Sequence, residues 1–140
     1  MQTSASTVIA RPVDEVWAAL ADHRRISGWA PGLRVEVDDT AATAPGEVGA
    51  VRRIEGGPGP AIVERITAFV PGRRLGYEAV SGIPFRDYAG TIELTVRGLD
   101  ATEVRWTLTA SPRVPVLERL ALAGVNRVLL TLFARATRRG

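Results

Sequence analysis

Residues 10–32 read ARPVDEVWAALADHRRISGWAPG, and the first half of this stretch predicts a short amphipathic helix. Pro12 suits the first helical turn, where a missing N–H costs nothing. Asp14 and Glu15 follow it, and negative charge near a helix N-terminus is stabilising. Apolar residues then recur at helical spacing and form one face, which consists of Val13, Val16, Trp17, Leu20 and Ala21.

The second half of the stretch predicts another short helix and then a loop. Asp22 can cap the segment HRRISG, which ends at Gly28. Trp29 lies between two glycines and beside a proline, so we expect it on a loop at the surface. His23 follows the cap in an arginine-rich turn and is expected to be exposed, and Trp17 is expected to pack in the core.

The segments around this stretch predict strands and one long helix. Residues 4–10 are typical of a short strand. The turn clusters TAPG, GGPGP, VPGRR, SGIP and GLDA separate further strands, predicted at 33–38, 47–55, 61–69, 74–80, 86–97 and 102–110. A long helix is predicted over 115–137. This order predicts an α+β fold with one curved antiparallel sheet of about seven strands wrapped on the C-terminal helix, with a cavity between them.

The composition limits the chemistry that the chain can perform. The 140 residues predict a single domain, 1–140. There is no cysteine, which excludes disulfides and thiol catalysis, and a single histidine excludes a histidine-cluster metal site. We therefore expect no metal, and no cofactor motif is present.

The charge pattern indicates neither a nucleic-acid nor a membrane-spanning protein. All 18 basic residues are arginines scattered along the chain, the formal net charge is +3, and no nucleic-acid motif appears. No apolar run approaches the roughly 18 residues that a membrane span requires. The N-terminus has no signal pattern, so a cytoplasmic location is expected.

The stretch 10–32 also resembles a known superfamily, together with GAVRRI (49–54), VERITAFVPGRRLGYEAVSGIP (63–84), YAGTIEL (88–94) and TEVRWTLTA (102–110). The chain is similar to START/Bet v 1-like (SRPBCC) proteins, and most of all to the bacterial polyketide cyclase/dehydrase type. The resemblance covers essentially the whole chain and implies a helix-grip fold with an internal cavity. Its members include lipid carriers, hormone receptors and cyclases, so it does not specify an activity.

The hairpin around GGPGP (56–60) contains a pair of opposite charges. If residue 58 is its centre, Arg52 faces Glu64 and Ile54 faces Ile62 on an otherwise apolar face. One interpretation turns this pair inwards, where it could orient a polar group of a ligand. The alternative is a surface pair with Val51, Val63 and Arg65 turned in, because a shift of one residue exchanges the two faces.

Alternation in the last two strands assigns further side chains to the helix or cavity. Tyr88 and Ile92 share one face of the strand 86–97, and Trp106 lies on the apolar face of the strand 102–110. These side chains can line a cavity or pack as core. Tyr77 is a further candidate, because a buried tyrosine hydroxyl requires a partner. In the family that the chain resembles, the segment containing Trp29 borders the cavity, so Trp29 would form its wall or lid, or else seal the core.

The long helix is apolar over more of its circumference than one packed face requires. The expected inner face consists of Leu117, Leu120, Ala121, Gly124, Val125, Val128 and Leu132. Gly124 and Val128 are therefore candidate ligand contacts. The surplus arc of Leu122, Leu129, Leu130 and Phe133 allows a second subunit, a membrane surface or a lipid-like ligand to cover it, and a homodimer through this helix is one expectation.

Three functions compete for this sequence. The first is binding, transport or sequestration of a small hydrophobic ligand, such as a lipid or polyketide, because the predicted pocket positions are mostly apolar. The second is a cofactor-free enzyme of the cyclase, aromatase or dehydratase type, for which Arg52, Glu64 and Tyr88 are the candidate catalytic residues. The third is an interaction protein that uses the apolar helix. A Glu64 neutralised by Arg52 favours binding over catalysis.

Overall fold

The computed structural model describes residues 1–112 and 115–139, and of residue 115 only the backbone. Strand β1 (Gln2–Ile9) is followed by helix α1 (Val13–Ala21) and the short 3₁₀ helix η1 (His23–Gly28). Six strands come next: β2 (Arg34–Asp38), β3 (Val51–Glu55), β4 (Ile62–Val70), β5 (Arg74–Ser81), β6 (Arg86–Val96) and β7 (Thr102–Ser111). Helix α2 (Pro115–Arg139) ends the described chain.

The strands form one antiparallel sheet in the order β1-β7-β6-β5-β4-β3-β2, and α2 packs on β1 and β7. This confirms the predicted α+β helix-grip class, with two short helices after the first strand. The predicted start of β3 at residue 47 is wrong. Gly49 has a φ of +93°, and a Cβ there would lie 2.2 Å from the carbonyl oxygen of Ala41, so residues 39–50 form a loop that only glycine permits at this point.

Two strands have irregular pairing close to buried polar side chains. The register of β4 against β5 shifts between Val63 and Glu64, and that of β6 against β7 shifts between Arg86 and Ala89. Asp87, inside the second irregularity, has a φ of +52°. Such bulges bend a strand and redirect its side chains. Glu64 and Tyr88 lie next to these two irregularities, and both are buried.

The concave face of the sheet carries the core, as the alternation predicted. In β6 and β7 the buried positions are Tyr88, Gly90, Ile92, Leu94, Thr102, Val104, Trp106, Leu108 and Ala110. Val96, at the end of β6, is 58% exposed and is the exception. Trp17 is partly buried and packs edge-on against Phe69, with ring centroids 5.1 Å apart, in agreement with its predicted structural role.

The predicted inner face of α2 is wrong. Leu117 and Leu120 are each 68% exposed, and the helix instead buries a stripe made of Leu122, Asn126, Leu130, Phe133, Ala134 and Thr137. Because apolar residues surround nearly the whole helix, periodicity alone did not select a face. The buried stripe also contains two polar residues, Asn126 and Thr137, which a hydrophobic pattern assigns to solvent.

Candidate functional site

Arg52 and Glu64 form a buried ion pair on the concave face. The register of β3 and β4 pairs Arg52 with Glu64 and Ile54 with Ile62, which confirms the predicted centre of the hairpin. Both charged residues are only 5% exposed, so the inward interpretation is correct. The Nε of Arg52 donates to Oε1 of Glu64 at 2.8 Å, and its guanidinium carbon lies 5.0 Å from the centre of the Tyr77 ring. The pair therefore satisfies its own charges inside the core.

His23 belongs to the same buried group, which corrects the prediction that it is exposed. It is 4% exposed, its Nε2 donates to the carbonyl oxygen of Gly46 at 2.6 Å, and its Nδ1 lies 3.3 Å from Nη1 of Arg52. Since a carbonyl can only accept and a guanidinium can only donate, these partners select the neutral Nε2–H tautomer. The Gly46 carbonyl belongs to the loop 39–50. Within this loop the Asp39 carboxylate accepts from the backbone N–H of Gly46, which fixes the position of this residue beside His23. Sequence periodicity carries no signal for such a loop contact.

Lowering the pH below about 6.5 is expected to destabilise the fold through His23. Burial first, and then the charge of Arg52, lower the pKa of His23 below its ordinary value of 6.5. The unfolded chain therefore takes up a proton at a higher pH than the folded chain, so the stability gained from neutral His23 is complete above pH 6.5 and is lost as the pH falls. Urea unfolding at a series of pH values between about 7.5 and 5 measures this loss.

The matched control is His23→Gln, which retains an N–H donor for the Gly46 carbonyl but does not titrate. Since His23 is the only histidine, this variant is expected to flatten the pH dependence in the same window. If the wild type and His23→Gln lost the same amount of stability over this pH range, groups other than His23 would be responsible for the loss.

Two tyrosines and a tryptophan extend this buried group towards α2. The hydroxyl of Tyr77 accepts from Nε1 of Trp106 at 3.2 Å and lies 3.1 Å from the hydroxyl of Tyr88. Burial raises the pKa of both tyrosines above the ordinary value, and the negative charge of Glu64 acts in the same direction. Both phenols therefore stay protonated at neutral pH and act as hydrogen-bond donors or acceptors, not as bases.

Trp29 connects these core residues with a cleft at the surface. Its indole makes edge-on contacts with Trp106 and Phe133, with centroids 6.1 Å apart in each case. The same side chain lines a cleft of about 810 Å³ between α1, η1 and the C-terminal half of α2. Trp29 therefore lines the cleft and also closes the aromatic core, which are the two alternatives predicted for it. Its side chain separates the cleft from the core.

The cleft has an apolar floor and a charged rim. Trp29, Phe133 and three alanines, Ala18, Ala19 and Ala136, provide the apolar surface. The charged lining consists of Arg11, Glu15, Asp22, Arg24, Arg25 and Arg139. A second, more polar cavity of about 420 Å³ lies between β1 and α2. Of the predicted ligand-binding residues, Trp29 alone lines the larger cleft, whereas Arg52, Glu64, Tyr77, Tyr88, Ile92 and Trp106 are packed together in the core behind it.

Gly124 and Val128 do not reach either the core or the cleft, which corrects their assignment as ligand contacts. Gly124 is exposed, no atom of residues 1–112 or 115–139 lies within 4 Å of the position of a Cβ there, and Val128 is 57% exposed. They lie on an outward apolar stripe of α2, which we define as Val116, Leu117, Leu120, Ala121, Gly124 and Val128. The predicted homodimer through α2 stays a prediction.

Asn126 was not identified from the sequence. It is fully buried, and its Nδ2 donates to the backbone carbonyl of Trp106 at 3.0 Å, whereas its Oδ1 has no hydrogen-bond partner among the described residues. A buried acceptor without a partner costs about 1–3 kcal/mol. The signal that could have found it is its spacing, because Asn126 lies four residues from both Leu122 and Leu130, on the same side of the helix.

Within residues 1–112 and 115–139, no group of histidines and carboxylates has the arrangement of a metal site. No helix in the same ranges combines the length and hydropathy that crossing a bilayer would need.

Comparison with known proteins identifies the family. Residues 1–139 match the family model described as "Polyketide cyclase / dehydrase and lipid transport". No curated protein matches the chain. Among solved structures, the fold is similar to a protein from Thermobifida fusca, with 22% identity, 99% of this chain and 93% of that chain covered and a TM-score of 0.77.

Two further structures relate the fold to named superfamilies. A START superfamily protein from Mycobacterium smegmatis has 17% identity, coverage of 98% and 94% of the two chains, and a TM-score of 0.73. Ara h 8.0201 has 14% identity, coverage of 99% and 94%, and a TM-score of 0.71. At these identities the likeness is one of fold. Together with the family model that spans residues 1–139, it means that the chain belongs to the polyketide cyclase/dehydrase and lipid transport family, with the START/Bet v 1 fold.

Proposed function

We propose that the protein binds a small hydrophobic molecule, such as a lipid or polyketide, at the boundary between the cleft and the aromatic core. The observation that carries this proposal is the double position of Trp29, which lines the cleft and also contacts Trp106 and Phe133. A rotation of this one indole would join the cleft to the core. The volume of about 810 Å³ is within the range of small-molecule sites.

The polar groups behind Trp29 suit a ligand that is mainly apolar with one or two oxygens. Among the described residues, Oδ1 of Asn126 has no hydrogen-bond donor, and the Tyr88 hydroxyl has one partner, the Tyr77 hydroxyl. A ligand hydroxyl that donates to Asn126 would remove the cost of the unpaired acceptor. A few such groups in an apolar pocket fix the orientation of a ligand.

Binding is favoured over cyclase or dehydratase catalysis by the state of the buried charges. A general acid or base must exchange a proton with the substrate. Glu64 is instead held by Arg52 at 2.8 Å, and the raised pKa values of Tyr77 and Tyr88 oppose their use as bases. These groups stabilise and orient, which fits a carrier or receptor better than an enzyme.

Replacement of Trp29 tests the proposed site. With decanol as the probe, we expect intrinsic tryptophan fluorescence to change saturably in the wild type, because Trp29 and Trp106 are in contact. Trp29→Ala is expected to raise the dissociation constant of decanol, measured by calorimetry, by roughly thirtyfold. This corresponds to the loss of a buried aromatic anchor that contributes about 2 kcal/mol.

Trp17→Phe is the control, since Trp17 packs against Phe69 away from the lining of the cleft. Decanol that binds Trp29→Ala and the wild type equally would place the ligand elsewhere. No binding to the wild type would count against the proposed function for simple alkyl ligands.

We propose, as a second role, that the outward stripe of α2 pairs with a second copy of the chain. Leu117, Leu120 and Val128 are more than half exposed, and exposed Gly124 permits close approach of two helices. The mass of the assembly in solution, measured by light scattering, is expected to be twice the chain mass of 15.0 kDa, and a monomer at high concentration would overturn this role.

A further inference from the structure

We infer that the cleft selects amphiphiles with an anionic headgroup, which the arginines at its rim bind while the apolar tail covers Trp29 and Phe133. This inference deepens the proposed function and rests on it. Among the described residues, the rim carries Arg11, Arg24, Arg25 and Arg139 against two carboxylates, which leaves a formal charge of +2 around an apolar floor.

The ion pairs within the cleft are loose and leave cations uncompensated. Arg11 lies 3.7 Å from Glu15, and Arg25 lies 3.7 Å from Asp22, both at exposed positions. Pairs of this kind contribute little and exchange easily with other charges. The two carboxylates of the cleft are thereby matched with two of its four arginines.

The other two arginines have no carboxylate partner among the described residues. Nη2 of Arg139 donates to the backbone carbonyl of Gly28 at 3.2 Å, across the cleft from α2 to η1. The guanidinium of Arg24 makes no hydrogen bond or ion pair with any residue in the described ranges, so its donors are free for a ligand. Guanidinium groups bind carboxylate and phosphate oxygens in paired hydrogen bonds.

A favourable interaction with a helix end accounts for one of these two arginines. Arg139 lies in the last turn of α2, where a cation favours the helix dipole. Arg24 is the second residue of η1 and lines the cleft, so a helix C-terminus does not account for its position. An anionic headgroup in the cleft would give its guanidinium a partner.

The experiment compares decanoate with decanol, which have the same tail and differ in the charge of the headgroup. Calorimetric titration of the wild type is expected to show decanoate binding roughly tenfold more tightly, the effect of one charge-assisted hydrogen bond. The preference is expected to shrink when NaCl is raised from about 0.05 to 0.5 M. Arg24→Gln and Arg139→Gln are expected to remove the preference, measured as the ratio of the dissociation constants of decanol and decanoate for each variant.

Arg105→Gln is the matched control, because it removes one exposed positive charge from the outer face of β7, outside the cleft lining. It is expected to keep the preference for decanoate. Equal binding of the two probes, or a preference that both cleft variants retain, overturns the headgroup inference while the proposed function stands. If neither probe binds the wild type, the proposed function fails and the inference fails with it.

Discussion

Replacing Arg52 with methionine is expected to lower the free energy of unfolding by about 3–5 kcal/mol, because the change leaves the Glu64 carboxylate buried without its partner. Glu64 is 5% exposed, and Arg52 is its only hydrogen-bonding partner among the described residues. Methionine keeps most of the length and apolar contact of the arginine stem, so the loss reports mainly on the charge. Urea unfolding at neutral pH measures the difference.

The double variant Arg52→Met, Glu64→Leu is the control for this prediction. Removing both charges from an apolar face is expected to recover most of the lost stability, because replacing a whole buried pair with apolar residues is often neutral. If the single variant costs less than about 1 kcal/mol, as at a surface ion pair, then the pair is solvated and the inward arrangement is wrong.

Gly90→Ala is expected to cost about 3 kcal/mol, at the upper end of the range for overpacking a core. A Cβ on Gly90 would lie 2.3 Å from Cζ of Tyr77. This ring cannot move aside freely, because it is 1% exposed and its hydroxyl is bonded to Trp106 and close to Tyr88. Thermal or urea unfolding measures the loss, and a change in near-ultraviolet circular dichroism is expected to accompany it.

Gly57→Ala is the matched control, since a Cβ at this exposed turn position, where φ is outside the left-handed region, would have no atom of the described residues within 4 Å. The same methyl group is added there without a clash, so this variant is expected to stay within about 1 kcal/mol of the wild type. A Gly90→Ala protein as stable as the wild type would mean that Tyr77 does not lie over Gly90.

The hairpin around GGPGP illustrates what the sequence could predict. Its centre follows from the positions of the turn residues, and that centre fixed the pairing of Arg52 with Glu64. Alternation in β6 and β7 likewise identified Tyr88, Ile92 and Trp106 as inward residues. Strand periodicity is a local property, so it survives without knowledge of the rest of the fold.

The buried face of α2 could not be predicted in the same way. A helix with apolar residues on nearly every side offers several equivalent stripes, and the choice depends on the shape of the surface formed by β1 and β7. Asn126 lies in the chosen stripe because the backbone carbonyl of Trp106 gives its side chain a partner. That carbonyl belongs to a strand 20 residues away, outside any local pattern.

The position of the cleft could not be predicted from the sequence either. The pattern predicted a cavity between the sheet and α2, where Tyr77, Trp106 and Phe133 are in contact. The cleft of about 810 Å³ lies elsewhere, between α1, η1 and α2. His23 depends in the same way on the fold of the loop 39–50, which supplies the Gly46 carbonyl. Of the residues predicted to bind a ligand, Trp29 alone lines this cleft.

Native mass spectrometry of the purified protein can show directly whether a hydrophobic molecule binds at Trp29. The wild type and Trp29→Ala would be purified in parallel from the protein's own host, and any bound molecule would be extracted and identified. We predict that the wild type carries one defined hydrophobic molecule per chain and that the variant has lost it. A wild-type spectrum that contains only the mass of the chain, with no organic molecule in the extract, would mean that no such ligand is bound.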